Sequence, residues 1–357
     1  MKALEEIEEK KIEEEEITQK INAINDLEKL DPYPHYLARD DYWERIERAC
    51  QYIPSDYRFY ALALFANVIY IPSIILDEAW RYGLRELNRL YGLNEENLLN
   101  EALLLEGDSG LIRRFCHSNN IKGRLDFDKQ PRSSRIGDLA KDYLLSRCNI
   151  SKELKDRLDK EVSKFLERRF WILLVDNALS GTSLSSELNR ILKLSEITNP
   201  EAEIIVLVQI MTSDASKKVE DEIKNKTRVK IIRAIYLDEK FKINSENCQL
   251  FKSKDTLKGV QKLCEWFANE ILSKDKNYDS TRNLSGGDLR YGFKNSGLTL
   301  VTPNCPSNSV PLLWYYRPPY YEGPYPRVES RITQTRSLDQ EIVDYLYEST
   351  KRGSSDD

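Results

Sequence analysis

Three continuous apolar runs, separated by helical sequence, constrain the fold of this chain more than any other feature. The runs are 170–175 (FWILLV), 204–211 (IIVLVQIM) and 229–236 (VKIIRAIY). A strand that is buried on both faces is apolar throughout, whereas apolar and polar residues alternate in a strand with one solvent-exposed face. Helical sequence over 183–194 and 215–224 lies between the runs. Strands that alternate with helices form parallel sheets, so the sequence predicts an α/β fold with a parallel sheet.

The character of the sequence changes near residue 101, and this change sets the predicted domain boundaries. Residues 1–30 are rich in glutamate and carry isoleucines at helical spacing, which predicts a charged amphipathic helix that either is solvated or docks a partner. Residues 31–100 are predicted to form an all-helical domain, because their helical pattern is interrupted only at X-Pro pairs. An α/β domain with a C-terminal Pro/Tyr-rich element is predicted over 101–350, followed by a disordered tail over 351–357.

The charge balance argues against direct binding to nucleic acid. The formal net charge is -5, from 54 Lys and Arg against 59 Asp and Glu. Affinity for DNA or RNA depends largely on the neutralisation of phosphates, so we expect contact with nucleic acid only through a partner. A local basic pocket for a small anionic ligand is compatible with this balance.

The cysteines and the apolar segments indicate a cytoplasmic protein. The chain has 6 Cys and 2 His, and no CxxC pair, which argues against a zinc site. Scattered cysteines without a recognisable signal peptide fit a reducing cytoplasm. The apolar stretch 59–76 has barely the length of a membrane span. We interpret it as a buried helix that ends at Pro72, and expect no direct membrane insertion.

The segment 171–184 carries the clearest chemical signal. A buried strand ends at Asp176 and Asn177, and the turn Ser180-Gly181-Thr182-Ser183 then leads into a helix. The first N–H groups of a helix have no internal partners and carry partial positive charge, so the turn suits an anion. Asp176, at the carboxyl end of a parallel strand, lies where open α/β sheets bind ligands. Its carboxylate can meet a sugar diol or a hydrated Mg²⁺ ion.

Two interpretations of this turn stay open. It is either a phosphate-binding loop or an ordinary strand-to-helix turn with Ser or Thr as the N-cap. The sequence contains neither GxxxxGK[ST] nor GxGxxG, which argues against a P-loop nucleotide hydrolase and against a dinucleotide site. An N-cap requires only one Ser or Thr. This segment contains an acid, an amide and then three hydroxyl residues around a glycine, which favours the interpretation as a phosphate-binding loop.

At these residues the chain resembles the phosphoribosyltransferase superfamily. The signature of that superfamily is an apolar strand, two acidic residues and a Thr/Ser-Gly loop that holds the 5′-phosphate of phosphoribosyl diphosphate (PRPP). The resemblance implies that Asp176 and Asn177 are a catalytic pair facing the ribose hydroxyls. It implies that four residues hold the 5′-phosphate: Ser180, Gly181, Thr182 and Ser183. It also implies a Mg²⁺ cofactor, held through water at Asp176.

More narrowly, the chain looks like the phosphoribosyltransferase-like proteins of bacterial conflict and antiphage systems. These combine a helical N-terminal region, this core and a C-terminal Pro-Asn…Pro…Leu-Trp element. Six residues match the last element: Pro303, Asn304, Pro306, Asn308, Pro311 and Trp314. The resemblance covers most of 35–330, and implies an effector or accessory component of an antiphage system with a protein partner encoded in the same operon.

Two departures from the superfamily pattern bear on catalysis. The second acidic position is Asn177, and the loop is one residue shorter than the usual pattern. An amide keeps a hydrogen bond to a hydroxyl, but it lacks the charge that helps to hold magnesium or an oxocarbenium-like transition state. Two functions therefore stay open. The chain either binds PRPP or a nucleotide 5′-phosphate, with or without transfer chemistry, or is a non-catalytic sensor or scaffold that docks a partner through its helical N-terminal region.

Other segments allow a functional and a structural interpretation. Residues 106–110 occupy the place of the superfamily's diphosphate loop, which assigns Asp108, Ser109 and Gly110 to the diphosphate, but an acidic turn that caps a helix is equally compatible. The basic stretch 122–135 resembles the mobile loop that closes over PRPP, although solvated charge is more common. The Pro/Tyr-rich element either stacks on a base or, as we prefer, packs an irregular loop onto its domain.

Overall fold

The computed structural model describes residues 2–31, 40–106, 110–122, 164–274, 289–302 and 305–326. These residues fall into two compact units. One unit is formed by Asp77–Tyr236 and contains most of the sheet. The other combines the residues up to Leu76 with those from Leu237 onward. The boundary between the units falls within a single helix, Ser73–Tyr91.

A four-stranded sheet forms the centre of the Asp77–Tyr236 unit, with the strands in the order β2-β3-β4-β5. The strands are β2 (Ala102–Glu106), β3 (Phe170–Ala178), β4 (Glu203–Thr212) and β5 (Val229–Leu237). The sheet is parallel, with Leu174 of β3 opposite both Glu106 and Leu207. The predicted fold class, a parallel-sheet α/β core preceded by a helical region, is confirmed.

Helices cover both faces of this sheet, which explains the continuous apolar runs. The helices are α4 (Ser73–Tyr91), α5 (Leu98–Glu101), α6 (Leu111–Ser118), α7 (Thr182–Thr198) and α8 (Ser213–Ile223). Because side chains alternate along a strand, Trp171 and Leu173 pack in one core with Leu188 of α7. Phe170 and Ile172 pack in the opposite core with residues of α4 and α6.

The second unit is mainly helical. Its helices are α1 (Lys2–Leu30), α2 (Tyr42–Gln51), α3 (Ser55–Ala66), α9 (Lys254–Glu270) and the one-turn α10 (Pro311–Trp314). Its short strands are β1 (Ile69–Tyr70), β6 (Leu300–Val301), β7 (Tyr316–Arg317) and β8 (Tyr321–Glu322). Ile17, Ile21 and Ile24 of α1 pack in one core with residues of α3 and α9. The predicted amphipathic helix therefore buries its isoleucine face.

The structure corrects our interpretation of the apolar stretch 59–76. A single helix was predicted to continue to Pro72, but α3 ends at Ala66. Ile69 and Tyr70 then form β1, which pairs in parallel with β6. The periodicity of the sequence did not predict this strand, because its partner lies more than 200 residues away in the chain. Among the described residues, no helix combines the length and the apolar composition that crossing a membrane requires.

The Pro/Tyr-rich element packs into the core of its own unit, as we preferred from the sequence. Tyr315, Tyr321 and Tyr325 are buried, and the Trp314 indole donates a 2.7 Å hydrogen bond to the Ser309 carbonyl. Tyr320 remains exposed, as does Tyr316. Pro303, Asn304, residues 338–350 and the tail 351–357 lie outside the described residues.

A buried ion pair ties this element to the N-terminal helices of the same unit. The Arg45 guanidinium pairs with Glu28 and donates a 2.7 Å hydrogen bond to the Pro324 carbonyl. The Tyr325 hydroxyl donates to the same glutamate. Burial raises the pKa of Glu28 despite the neighbouring Arg45 charge. Both side chains of the pair are buried, so the loss of one would leave the charge of the other in the interior without a partner.

Candidate functional site

The predicted phosphate loop is a sharp turn between β3 and α7. The strand continues to Ala178, one residue further than the sequence predicted, and the next residue, Leu179, is buried. Gly181 is the N-cap of α7 with φ 71° and ψ -8°, in the left-handed region that favours glycine. The helix then begins at Thr182, and its first backbone bond runs from the Ser185 N–H to the Gly181 carbonyl at 2.8 Å.

A close contact with α8 adds a second requirement for glycine at position 181. A Cβ placed on Gly181 would lie 3.0 Å from Ala215 Cα and 3.2 Å from the Ala215 carbonyl oxygen. The turn therefore rests directly on the backbone of the first turn of α8. This packing fixes the position of the α7 N-terminus relative to the neighbouring strand-helix connection.

Thr212, at the end of β4, stabilises the β3–α7 turn through hydrogen bonds. Its buried hydroxyl donates a 2.6 Å hydrogen bond to the Leu179 carbonyl. The same oxygen accepts a 3.2 Å hydrogen bond from the Ala215 N–H, and so caps α8. One side chain thus connects the β3–α7 turn to the start of the next helix. Sequence reasoning did not find Thr212, although its place before the predicted helix 215–224 is a typical N-cap signal.

The N-terminus of α7 is open to solvent. Thr182 and Ser183 are exposed, the N-cap Gly181 offers no side chain to cap the helix, and the first turn of the helix contains no acidic residue. The N–H groups of the first residues of a helix have no intrahelical acceptor, and they carry the positive end of the helix dipole. The exposed Thr182 and Ser183 side chains place two hydroxyl groups at this end of the helix.

Lys218 of α8 adds a positive charge beside these donors. Its ammonium group donates a 3.2 Å hydrogen bond to the Thr182 hydroxyl. The side chain is half-buried, and it makes no ion pair with any residue in the part of the chain that the structure describes. Sequence reasoning missed Lys218, because only the tertiary packing of α8 brings it to the turn.

Asp176 and Asn177 lie within the extended end of β3 and are half-buried. The Asn177 N–H donates a 2.6 Å hydrogen bond to the Asp176 carboxylate, and Asn177 lies opposite Ile210 of β4. Successive residues of a strand belong to opposite faces, so the structure does not place these two side chains side by side on one face of the sheet. Their assignment to the ribose hydroxyls stays a prediction.

The predicted diphosphate loop is only partly described. Asp108 and Ser109 lie outside the described residues, and Gly110 is the N-cap of α6 with φ 91°. The Glu106 carboxylate accepts hydrogen bonds from the Gly110 and Ile112 N–H groups, both at 3.1 Å. This contact supports the alternative of an acidic turn that caps a helix. The diphosphate assignment stays a prediction.

Comparison with known proteins identifies the family. The PRTase-CE family model matches residues 113–325, more than half of the chain. The chain belongs to the PRTase-CE family. It is therefore a phosphoribosyltransferase-like protein, as the resemblance implied. No curated protein and no solved structure matches it.

The match of this PRTase-CE protein includes the β3–α7 turn, Lys218 and the Pro/Tyr-rich element, but begins after Gly110. The predicted diphosphate loop thus lies outside the matched segment, as do helices α1 to α5. Family membership supports the general type of protein, whereas the ligand and the biological setting remain to be proposed.

The residues at the end of β3 fit magnesium only in one way. No group of three or more His, Cys, Asp or Glu side chains that could hold a metal exists in the described ranges. Within residues 176–183, Asp176 alone has a carboxylate side chain. Mg²⁺ commonly binds through one or two carboxylates, waters and substrate phosphates, so a ligand that brings its own phosphates would complete the site.

A cleft of about 240 Å³ lies elsewhere in the same unit. Its lining is polar and includes Arg81, Arg85, Asn88, Asn119 and Asn120. None of the predicted site residues lines it. The cleft is therefore separate from the turn that the sequence predicts to bind phosphate.

Proposed function

We propose that this PRTase-CE protein binds the 5′-phosphate of PRPP or of a nucleotide at the N-terminus of α7. One observation carries the proposal: Gly181 turns the chain so that the first N–H groups of α7 are left uncapped beside two exposed hydroxyl groups. A phosphate accepts several such hydrogen bonds and is favoured by the helix dipole. The match to a phosphoribosyltransferase-like family supports this ligand over other anions.

The sugar would then extend toward the carboxyl end of β3. Asp176 would accept hydrogen bonds from ribose hydroxyls, or hold a water of the magnesium ion that PRPP carries on its diphosphate. Bound Mg²⁺ would neutralise the diphosphate and make it a better leaving group. Asn177 can donate to a hydroxyl but contributes no negative charge. We therefore propose ligand binding as the primary function, with phosphoribosyl transfer as an activity to be tested.

We further propose that the protein acts in a bacterial antiphage system as an effector or accessory component. The order of a helical region, this core and a C-terminal element with Asn308, Pro311 and Trp314 supports this setting. Survival of phage-challenged cells that carry the intact operon, compared with cells that carry Asp176→Ala, tests it. Equal plaque counts with the wild-type and the deleted gene would reject the antiphage role.

Isothermal titration calorimetry with PRPP and Mg²⁺, ribose 5-phosphate and AMP tests the ligand. We expect heat with the phosphorylated ligands and none with ribose alone. Thr182→Ala combined with Ser183→Ala should weaken binding several-fold, because two hydroxyl donors are lost. An absence of heat with every phosphorylated ligand would reject the proposal. Release of diphosphate by the wild-type protein, and its loss in Asp176→Ala, would distinguish an enzyme from a sensor.

A second candidate function, partner docking through the N-terminal helix, is favoured by apolar side chains on the surface of α1. Leu30 is 80% exposed and Leu27 is 44% exposed, whereas the isoleucine face of the helix is buried. Leu27→Glu with Leu30→Glu should abolish co-purification with the product of a neighbouring gene and leave the fold intact. Unchanged co-purification would reject this surface as the docking site.

A further inference from the structure

The two helices that follow β2 and β3 pack on opposite faces of the sheet. Phe115 of α6 lies in one core with Ile172. Leu188 of α7 lies in the other core with Leu173. Because β2 and β3 are adjacent and parallel, both helices follow the same edge of the sheet. In open α/β sheets, ligands bind in the crevice at such a switch point, outside the carboxyl ends of the strands.

The start of α6 already holds a carboxylate of the protein itself. One oxygen of Glu106, Oε2, accepts hydrogen bonds from the Gly110 and Ile112 N–H groups, both at 3.1 Å. Glu106 is the last residue of β2 and is half-buried. The N-terminus of a helix carries partial positive charge, which favours an anion at this position. The glutamate therefore takes the place that a phosphate group of a ligand would take at this helix end.

A second phosphate group in the crevice would meet unfavourable charge. It would have to displace Glu106 from the two N–H groups, and it would still face that carboxylate and the carboxylate of Asp176 on the neighbouring strand. Like charges that meet in a binding site oppose binding. Arg113 and Arg114 follow on α6, but both are exposed, so water weakens their attraction for a phosphate group.

We propose that Glu106 determines specificity, so that the crevice accepts a ligand with a single 5′-phosphate and disfavours PRPP, which carries a diphosphate as well. This inference rests on the proposed function and narrows it to ribose 5-phosphate or a nucleoside 5′-monophosphate. At α7 the Gly181 N-cap has no side chain, and the ligand supplies the anion. At α6 the protein supplies its own anion. The two helix ends thus distinguish a ligand with one phosphorylated end from a ligand with two.

Two substitutions of glutamate by glutamine separate a local effect from an effect of net charge. Glu106→Gln removes the charge but keeps an oxygen that can accept from the two N–H groups, so the turn should stay folded. Glu101→Gln is the matched control. Glu101 is exposed and lies in the same unit, but it directly precedes β2 and so lies at the opposite edge of the sheet. Glu106→Ala, which removes the acceptor together with the charge, is a second variant.

Calorimetric titration of the full chain with ribose 5-phosphate and with PRPP, each with and without Mg²⁺, tests the proposal. We expect the wild type to bind PRPP no more tightly than ribose 5-phosphate, although PRPP offers more acceptor oxygens. Glu106→Gln and Glu106→Ala should bind PRPP about tenfold more tightly than the wild type, because the opposing charge is gone. Their affinity for ribose 5-phosphate should stay within about twofold, as should both affinities of Glu101→Gln.

The other results overturn the inference in distinguishable ways. If the wild type binds PRPP about tenfold more tightly than ribose 5-phosphate, the inference is wrong and the proposed function stands. That result with Mg²⁺ alone would show that the carboxylates hold a magnesium ion instead of repelling the diphosphate. Unchanged PRPP affinity in both Glu106 variants, or an equal gain in Glu101→Gln, also overturns it. The wild-type comparison decides if the variants do not fold.

Failure of the proposed function gives a different result. If the wild type gives no heat with ribose 5-phosphate, PRPP or AMP, the proposed function fails together with this inference. Binding of ribose 5-phosphate by the wild type supports the proposed function whatever the affinity for PRPP.

Discussion

Replacement of Gly181 by alanine tests the reasoning about the turn most directly. The residue has φ 71°, where an alanine costs about 1–2 kcal/mol because its Cβ approaches the following carbonyl group. The added Cβ would also lie 3.0 Å from Ala215 Cα, which α8 holds in place. Such overpacking against backbone costs about 1–3 kcal/mol. We therefore expect a total loss of about 3 kcal/mol in the free energy of unfolding.

Gly92 separates these two contributions. It has φ 70°, nearly the same as Gly181, but a Cβ added there meets nothing within 4 Å. Gly92→Ala should therefore cost only the conformational part, about 1–2 kcal/mol. Both glycines belong to the Asp77–Tyr236 unit, so the two variants are compared in the same unit. The difference between them measures the contact between the turn and α8.

Urea denaturation followed by circular dichroism gives both values, and thermal melting checks them. A loss of 3 kcal/mol in a unit of this size corresponds to a fall of roughly 6–12 °C in the melting temperature. Gly181→Ala should remain folded, because about 3 kcal/mol is less than the typical stability of a domain. If the two variants lose the same free energy, the close approach of Gly181 to Ala215 does not contribute, and our account of why glycine is required there is wrong.

Three further perturbations have expected magnitudes. Thr212→Val should lower the free energy of unfolding, measured by urea titration, by about 2–3 kcal/mol, because the Leu179 carbonyl and an α8 N–H lose their partner. Thr212→Ser keeps the hydroxyl group and should lower it much less. If both variants lose the same free energy, the two hydrogen bonds do not stabilise the protein. Burial raises the pKa of the Cys50 thiol to about 11 from 9.0. Alkylation of Cys50 near pH 8, followed by mass spectrometry, should therefore be roughly 100-fold slower in the folded protein than in urea. Equal alkylation rates in the two states would show that the pKa of Cys50 is not raised. Arg45→Met should cost about 3–5 kcal/mol by chemical denaturation, and adding Glu28→Gln should restore part of the loss; additive losses would show that the pair is not coupled.

Most of the sheet could be predicted from the sequence, because its strands are buried on both faces. The apolar runs 170–175, 204–211 and 229–236 correspond to β3, β4 and β5 with small shifts at the ends. The predicted helix 183–194 is the central part of α7. Such continuous runs leave little ambiguity once helical sequence separates them. β3 extends one residue past its predicted end at Asn177, to Ala178.

The short pairings of the second unit were beyond sequence reasoning. β1 and β6 have two residues each, too few for a recognisable alternation, and their pairing joins distant parts of the chain. The apolar stretch 59–76 is largely buried, as interpreted, but Ile74 and Ile75 are exposed, and the stretch forms the end of α3, β1 and the start of α4 instead of one helix. Burial of Tyr315, Tyr321 and Tyr325 was expected, since prolines and aromatic rings commonly pack an irregular segment onto a domain.

Within the candidate site, the features that depend on local sequence could be predicted, and those that depend on tertiary packing could not. A strand, a glycine and hydroxyl residues in sequence were sufficient to locate the turn, because helix N-termini and left-handed glycines are local features. Thr212 and Lys218 reach the turn from the connection after the next strand, so only the packing of α8 reveals them. The Glu106 contact with the start of α6 is a tertiary detail that composition does not determine.

The three helices that follow β2, β3 and β4 differ in what satisfies their first N–H groups. The Glu106 carboxylate accepts from the N-terminus of α6, and the Thr212 hydroxyl accepts from that of α8. At α7 the Gly181 N-cap has no side chain to offer, and Lys218, which contacts Thr182, is itself a donor. Donors that face donors gain nothing from one another, whereas an anion with several acceptor oxygens satisfies all of them at once. This difference in capping is why we assign the phosphate to α7 and not to the equivalent positions beside it.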